Sequence, residues 1–174
     1  MKTFLEIGSC DFNTLNYLSD HGWKGVILEP IKKYLDNLER KPNVEYENSA
    51  LTEIDGTTQM WVCSDELIEK DPDYRGMNCL WKGNDNHTET VQVNTITFDT
   101  LFKKYNLEQI DYLKIDVEAY DLQVLCLFPF NKVKPNYIQA ECKHANTSPY
   151  MKGLLESHGY HVTVDEENLY AIKL

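Results

Sequence analysis

No apolar run in these 174 residues approaches 18, so the chain offers no segment able to span a bilayer as a helix. Cysteine is sparse and unpatterned. Cys10, Cys63, Cys79, Cys126 and Cys142 are odd in number and never spaced C-x-x-C, which argues against both structural zinc and a disulfide framework. Basic side chains are few, 17 Lys and Arg against 28 Asp and Glu, and they form no cluster beyond pairs such as Lys32-Lys33 and Lys103-Lys104. At a net charge of -11 the surface repels phosphate backbones, so no nucleic-acid partner is expected, and no membrane partner either. Internal repeats and low-complexity tracts are missing too. A strand-like run begins at Thr3, which leaves no room for a signal peptide. The expectation is a reduced, cytoplasmic setting, in which the sequons at Asn86 and Asn146 carry no sugar.

What is present is the content of a globular α/β chain. Hydrophobic residues make up 42% of it, and the length suits one domain spanning 1–174. Strand-like runs at Thr3–Ile7, Gly25–Leu28 and Val44–Asn48 alternate with helical patterns at Asn13–His21 and Ile31–Arg40, the first half of a doubly wound sheet. Two further strands, Thr57–Cys63 and Thr90–Ile96, flank a polar segment holding Pro72, Tyr74, Gly76, Trp81 and Gly83. That makes residues 57–96 an inserted strand-loop-strand and a candidate for recognising an acceptor. Helix Phe98–Tyr105, a charged strand, helix Asp121–Phe128, strand Asn136–Cys142, a helix opened by Ser148-Pro149, and the pair Tyr160–Val164 and Leu169–Leu174 complete the chain.

The charged strand is residues 110–118, Ile-Asp-Tyr-Leu-Lys-Ile-Asp-Val-Glu. Leu113, Ile115 and Val117 alternate with Lys114, Asp116 and Glu118, so the charges share one face if the strand persists. A central parallel strand is covered on both faces and tolerates charge only near its carboxyl end, where open α/β sheets bind ligands. The next strand repeats the pattern in Tyr137, Gln139, Glu141 and Lys143, which predicts Glu141 beside Asp116 with His144 just beyond.

Strand 1 ends in Glu6-Ile7-Gly8-Ser9-Cys10-Asp11-Phe12-Asn13. A dinucleotide turn needs glycines where Cys10 and Asn13 stand, and Asp11 would repel a pyrophosphate. A phosphate-free cation such as S-adenosylmethionine escapes both objections. Glu29, 21 residues beyond Gly8 and before Pro30, is placed to accept from both ribose hydroxyls. Asn48-Ser49-Ala50 closes the third strand, where an adenine edge would lie.

These motifs resemble FkbM-type methyltransferases, a branch of the class I S-adenosylmethionine-dependent enzymes. The resemblance rests on Phe4-Leu5-Glu6-Ile7-Gly8, Gly25-Val26-Ile27-Leu28-Glu29-Pro30, Asn48-Ser49-Ala50 and Thr97-Phe98-Asp99-Thr100-Leu101, together with the charged strand and the ending Asn168-Leu169-Tyr170-Ala171. It implies a Rossmann-like three-layer sandwich: a mostly parallel seven-stranded sheet with an antiparallel C-terminal strand, plus the inserted hairpin. It also implies S-adenosylmethionine held by Glu6, Gly8, Ser9, Asp11, Asn13, Glu29, Pro30, Asn48, Ser49, Ala50 and Asp116. Two departures are visible: Ala119-Tyr120-Asp121 stands where the family often has Gly-Ala-Glu, and Asp11-Phe12 replaces a later glycine.

A hydroxyl acceptor must lose a proton, by a base or a metal. The candidate catalytic residues are Asp116, Glu118 and His144. A Mg-type cation is expected on Asp116, Glu118 and Glu141, against the plainer alternative that Lys114 and Lys143 pair with those carboxylates. Tyr120, Glu141 and Trp81 are the candidates for contact with a small-molecule or carbohydrate acceptor. A catalytically silent adenosyl-binding module of the same fold is the competing reading.

Overall fold

The computed structural model describes residues 1–83, 85–144 and 146–174. The chain opens with β1 (Thr3–Ile7), a 3-10 helix at Asn16–His21, β2 (Lys24–Leu28), α1 (Lys32–Asn37) and β3 (Val44–Glu47). A second group follows: β4 (Ala50–Leu51), β5 (Gly56–Cys63), α2 (Asp65–Lys70), a 3-10 helix at Pro72–Gly76 and β6 (His87–Ile96). The remainder is α3 (Phe98–Tyr105), β7 (Tyr112–Ile115), α4 (Asp121–Leu127), β8 (Tyr137–Glu141), α5 (Ser148–Ser157), β9 (Tyr160–Val164) and β10 (Asn168–Lys173). Among the described residues no helix is long and apolar enough to cross a membrane.

The main sheet has seven strands in the order β3-β2-β1-β7-β8-β10-β9. β3, β2, β1, β7 and β8 pair in parallel, and β10 runs antiparallel between β8 and β9. After β1 the chain builds outward through β2 and β3, then returns to lay β7 on the other side of β1. The carboxyl ends of β1 and β7 therefore flank the point where the winding reverses, the position at which such sheets hold ligands.

Apolar residues coat both faces. Leu5, Ile7, Leu113 and Ile115 meet Leu101 of α3, Val124 of α4 and Met151 of α5 in one core. Phe4 and Ile27 pack with Leu15, Leu35 and Leu38 in a second core on the opposite side. Layers of helix on each side of the sheet follow from this division.

β5 and β6 form a long antiparallel ladder, and β4 joins β6 in parallel to complete a three-stranded second sheet. The polar segment between them has more order than its composition announces. Ser64 accepts from the Leu67 N–H at 3.4 Å, Asp65 and Glu66 occupy the first turn, and Lys70 closes α2. Pairing of Trp61 with Cys79 then brings residues 77–80 back against β5.

The expected boundaries shift in several places. Residues 13–21 form a shorter 3-10 helix, ended by Gly22 at φ +79°, and α1 is truncated at Asn37. α5 takes Thr147, not Ser148, as its cap residue. The largest correction is the charged strand. β7 ends at Ile115, the Asp116 N–H still donates to Ile7 O at 2.9 Å, and the chain then leaves the sheet through Glu118 and Ala119 at φ +51° and +70°. The alternation across residues 110–118 thus stops before Glu118, whose direction is set by a left-handed turn and not by the pleat.

Candidate active site

Gly8 is what lets the ends of β1 and β7 close together. It sits at φ +81°, and a Cβ there would lie 1.9 Å from the Asp116 carbonyl oxygen. No other residue satisfies both demands. Beyond this contact opens a cavity of about 460 Å³, within the range of small-molecule sites. Gly8, Ser9, Glu29 and Pro30 border one end, and Ser49, Ala50 and Leu51 continue that wall from the end of β3. Asp116, Glu118, Tyr120 and Glu141 border the other end. Met60, Asn78 and Leu80, all from the β5–β6 region, close it from above.

Glu29 is 5% exposed, and its two carboxylate oxygens each accept one backbone N–H, from Cys10 and from Ile31, both at 2.8 Å. Each oxygen keeps a second lone pair for a ligand hydroxyl. Burial pushes its pKa up to about 7, against the pull of the Ile31 and Cys10 donors, with nearby Asp11 adding to the rise. Cys10 itself reaches Glu29 from φ +48°, the left-handed conformation that a glycine would adopt easily. Burial holds its thiol up at about 12, which makes it a poor nucleophile.

This gives a pH signature. Ribose hydroxyls donate to ionised Glu29, so affinity for S-adenosylhomocysteine should fall below pH 7, by up to about tenfold per unit. Stability runs the other way. Glu29 and Glu118, raised to about 7 and about 6, stay protonated in the folded state at pH values where the unfolded chain has already released those protons near 4.5. Unfolding free energy should therefore decline as pH rises from 4.5 through 7, by up to about 1.4 kcal/mol per unit for each group. Thermal melts from pH 5 to 8, with and without S-adenosylhomocysteine, measure both slopes.

The expected ligand-binding residues divide into two sets. Gly8, Ser9, Glu29, Pro30, Ser49, Ala50 and Asp116 are brought together on the cavity. The other four lie behind its wall. Glu6 is fully buried, with the Lys114 ammonium 3.5 Å away. Asp11 is engaged with Arg75 Nε at 2.7 Å, and that guanidinium also stacks over Phe12. Asn13 accepts from the Asn16 amide and the Glu39 N–H, both at 2.8 Å. Asn48 donates to the Glu29 and Pro30 carbonyls at 2.9 Å, tying the end of β3 to that of β2. These four shape the cavity wall; they do not line it.

At the other end Asp116 accepts from Lys114 at 3.0 Å. Burial works to discharge Lys114, but Asp116 and Glu6 outweigh it and hold the ammonium above its ordinary pKa. Glu118 and Glu141 converge on His144, whose Nε2 lies 3.0 Å from Glu118 Oε2 and 3.1 Å from Glu141 Oε2. Burial raises Glu118, and the Glu141 charge adds to the rise. Lys143 is paired with Glu141. The expected metal trio is thus not the one assembled: Asp116 is bonded to Lys114, and among the described residues the group of ligand atoms within 4.8 Å of one another is Glu118, Glu141 and His144.

Trp81 lies off this cavity, on a second cleft of about 450 Å³ that shares Leu80 and Tyr120 with the first. Its ring packs edge-on against Tyr120 at 4.9 Å, and the Tyr120 hydroxyl donates to Glu53 at 3.3 Å. Several wall residues escaped the sequence reading. Gln139 was available from the alternation of β8. Glu167, in the β9–β10 turn, and Asn168, the first residue of β10, also reach the cavity, and although Asn168 belongs to the ending that carries the family resemblance, nothing local marks either as a wall residue.

The departure at Ala119 falls on the left-handed backbone, so the missing glycine has a structural cost. Ala119→Gly should stabilise the fold by about 0.5–1 kcal/mol in denaturant titration. No change or a loss would mean that the turn is not left-handed in solution.

The sheet order, the single antiparallel strand β10 and the cavity at the switch point define a Rossmann-like methyltransferase fold of class I. The family model for the methyltransferase FkbM domain matches residues 6–162, and the chain belongs to that family of S-adenosylmethionine-dependent methyltransferases. No curated protein matches it. Among solved structures, precorrin-6y C5,15-methyltransferase from Geobacter metallireducens GS-15 is similar at TM-score 0.52 and 12% identity, over 99% of this chain and 80% of that one. A fibrillarin/Nop5p complex gives TM-score 0.48 at 10% identity, over 99% and 73%. The 30S ribosomal A1408 methyltransferase from an uncultured bacterium gives 0.40 at 13%, over 99% and 87%. At 12% identity the likeness to the precorrin-6y enzyme is one of fold alone.

Proposed function

We propose that this chain transfers a methyl group from S-adenosylmethionine to a hydroxyl of a small molecule or carbohydrate. The observation that carries this reading is one cavity with Glu29 at one end and Asp116, Glu118 and Glu141 at the other. The residues fit such a donor. Glu29 offers spare lone pairs for the ribose, Ser49-Ala50-Leu51 offers a mostly apolar wall for the adenine, and the cavity's acidic walls suit a sulfonium charge. Bound there, the donor supplies an electrophilic methyl group.

The chain's own groups then position and deprotonate the acceptor. Asp116 takes the hydroxyl proton, while the hydrogen bond from Lys114 fixes its carboxylate in direction. The Glu118–Glu141–His144 corner receives the acceptor oxygen, and the β5–β6 region with Trp81 and Tyr120 contacts the rest of the acceptor. Net charge -11 supports a small acceptor over a nucleic acid, and a cytoplasmic site of action is part of the same reading.

One observation favours the silent-module reading: Cys10 and Ala119 hold left-handed conformations beside the cavity without being glycine. Calorimetry with S-adenosylhomocysteine, followed by mass spectrometry over a panel of hydroxylated acceptors, decides between the two. Saturable one-to-one binding that Glu29→Gln weakens about 10- to 100-fold supports donor binding at this cavity. Binding with no methylated product across sugars, phenols and hydroxy acids favours the silent module. No binding at millimolar ligand contradicts both.

A further inference from the structure

We infer that Glu118, Glu141 and His144 bind one first-row divalent ion of the Mn²⁺ kind at the acceptor end of the cavity. The role of that ion rests on the methyl-transfer reading, but the site stands on its own geometry. Two stretches that are distant in sequence meet there: the turn after β7, which carries Glu118, and the end of β8 with the residues just beyond it, which carry Glu141 and His144.

Glu141 is 7% exposed and lines the cavity. One of its oxygens is paired with Lys143. The other, Oε2, is sealed from water and, among the described residues, accepts no hydrogen bond, although it lies 3.1 Å from His144 Nε2. The imidazole makes its hydrogen bond to Glu118 Oε2 instead, at 3.0 Å. A buried carboxylate oxygen without a donor is costly, and an ion is one way to satisfy it.

The spacing fits. Ligand atoms about 2.1 Å from a metal at right angles to one another lie about 3.0 Å apart. The two contacts from His144 Nε2, 3.0 and 3.1 Å, already have that separation. An ion replacing the ring proton between them would take Nε2 and one oxygen from each glutamate. Glu118 and Glu141 line the cavity while His144 stands behind them, so water or an acceptor hydroxyl would reach the ion from the side of the two glutamates. One imidazole with two carboxylates suits Mn²⁺, Fe²⁺ or Zn²⁺, whereas Mg²⁺ and Ca²⁺ favour oxygen alone. The two glutamates bring negative charge to the ion, with Lys143 paired to the other oxygen of Glu141.

The ion would hold the acceptor oxygen and make its proton easier to remove. The hydroxyl proton goes to Asp116, the oxygen forms its bond to the methyl carbon, and the carbon–sulfur bond breaks to leave S-adenosylhomocysteine.

The test is Mn²⁺ titration of the chelator-treated full chain, followed by electron paramagnetic resonance of the free aquo ion. Loss of free signal should saturate at one Mn²⁺ per chain, with Mg²⁺ at least tenfold weaker. His144→Ala and Glu141→Gln should each weaken Mn²⁺ at least tenfold, and Asp116→Asn by less than threefold. S-adenosylhomocysteine calorimetry on the same proteins reports folding and an intact donor site. No uptake at millimolar Mn²⁺, equal uptake by the variants, or equal affinity for Mg²⁺ would overturn the site. Failure of S-adenosylhomocysteine to bind, with Mn²⁺ uptake intact, would overturn the methyl-transfer reading and leave the ion site standing.

Discussion

Asp116→Asn should lower methyl-transfer turnover by about 10²- to 10⁴-fold while changing S-adenosylhomocysteine affinity by less than threefold. The asymmetry follows from where Asp116 stands. It follows the last residue of β7, its N–H held by Ile7 at 2.9 Å and its carboxylate held by Lys114 at 3.0 Å. An asparagine keeps the size and the backbone bond but cannot take a proton, and loss of a general base costs about that range. The donor's ribose lies at Glu29 in this reading, so its affinity should scarcely register the change. Single-turnover rates by mass spectrometry, paired with calorimetry, separate the two effects. An unchanged rate would remove Asp116 from the chemistry; a parallel collapse in affinity would make it a donor-binding residue instead.

The second large effect concerns stability. Lys114 is 6% exposed and lies between Asp116 and Glu6, the latter fully buried. Lys114→Met leaves Glu6 without its counter-charge, and breaking a buried pair in this way costs about 3–5 kcal/mol. Burial already raises the Glu6 pKa, with Lys114 restraining it. Without Lys114 the carboxylate should take up a proton on folding more readily. An acid whose folded pKa is raised loses stability as pH rises above its unfolded value. The variant's deficit should therefore be smaller near pH 5 than near pH 8. Glu6→Gln combined with Lys114→Met should recover part of the loss, since the stranded charge is gone. Denaturant unfolding of the single and double variants at both pH values gives the coupling directly. A deficit under 1 kcal/mol, or one independent of pH, would show that Glu6 does not rely on Lys114.

Much of this fold is legible in the sequence because its strands are short and apolar and its turns carry glycine. The alternation in residues 110–115 places Lys114 on the correct side of β7, and the 21-residue step from Gly8 to Glu29 brings both to one cavity. The same alternation misleads three residues later. Once Glu118 and Ala119 adopt left-handed angles, period-two reasoning no longer fixes direction. Polar residues near the turn could not be sorted by sequence either. Asp11, Asn13 and Asn48 resemble ligand contacts by position, yet Arg75, the Glu39 N–H and the Pro30 carbonyl engage them. Arg75 is 64 residues from Asp11, and no local pattern announces such a partner. Glu167 and Asn168 are hidden for the same reason, since the antiparallel insertion of β10 beside β8 is what carries them to the cavity.

The measurement closest to the centre of this account is a crystal structure of the chain with S-adenosylhomocysteine. The account predicts ribose hydroxyls within about 3 Å of the Glu29 carboxylate, adenine against Ser49 and Ala50, and the sulfur turned toward Asp116. A ligand bound elsewhere, or a ribose whose hydroxyls do not touch Glu29, would contradict it.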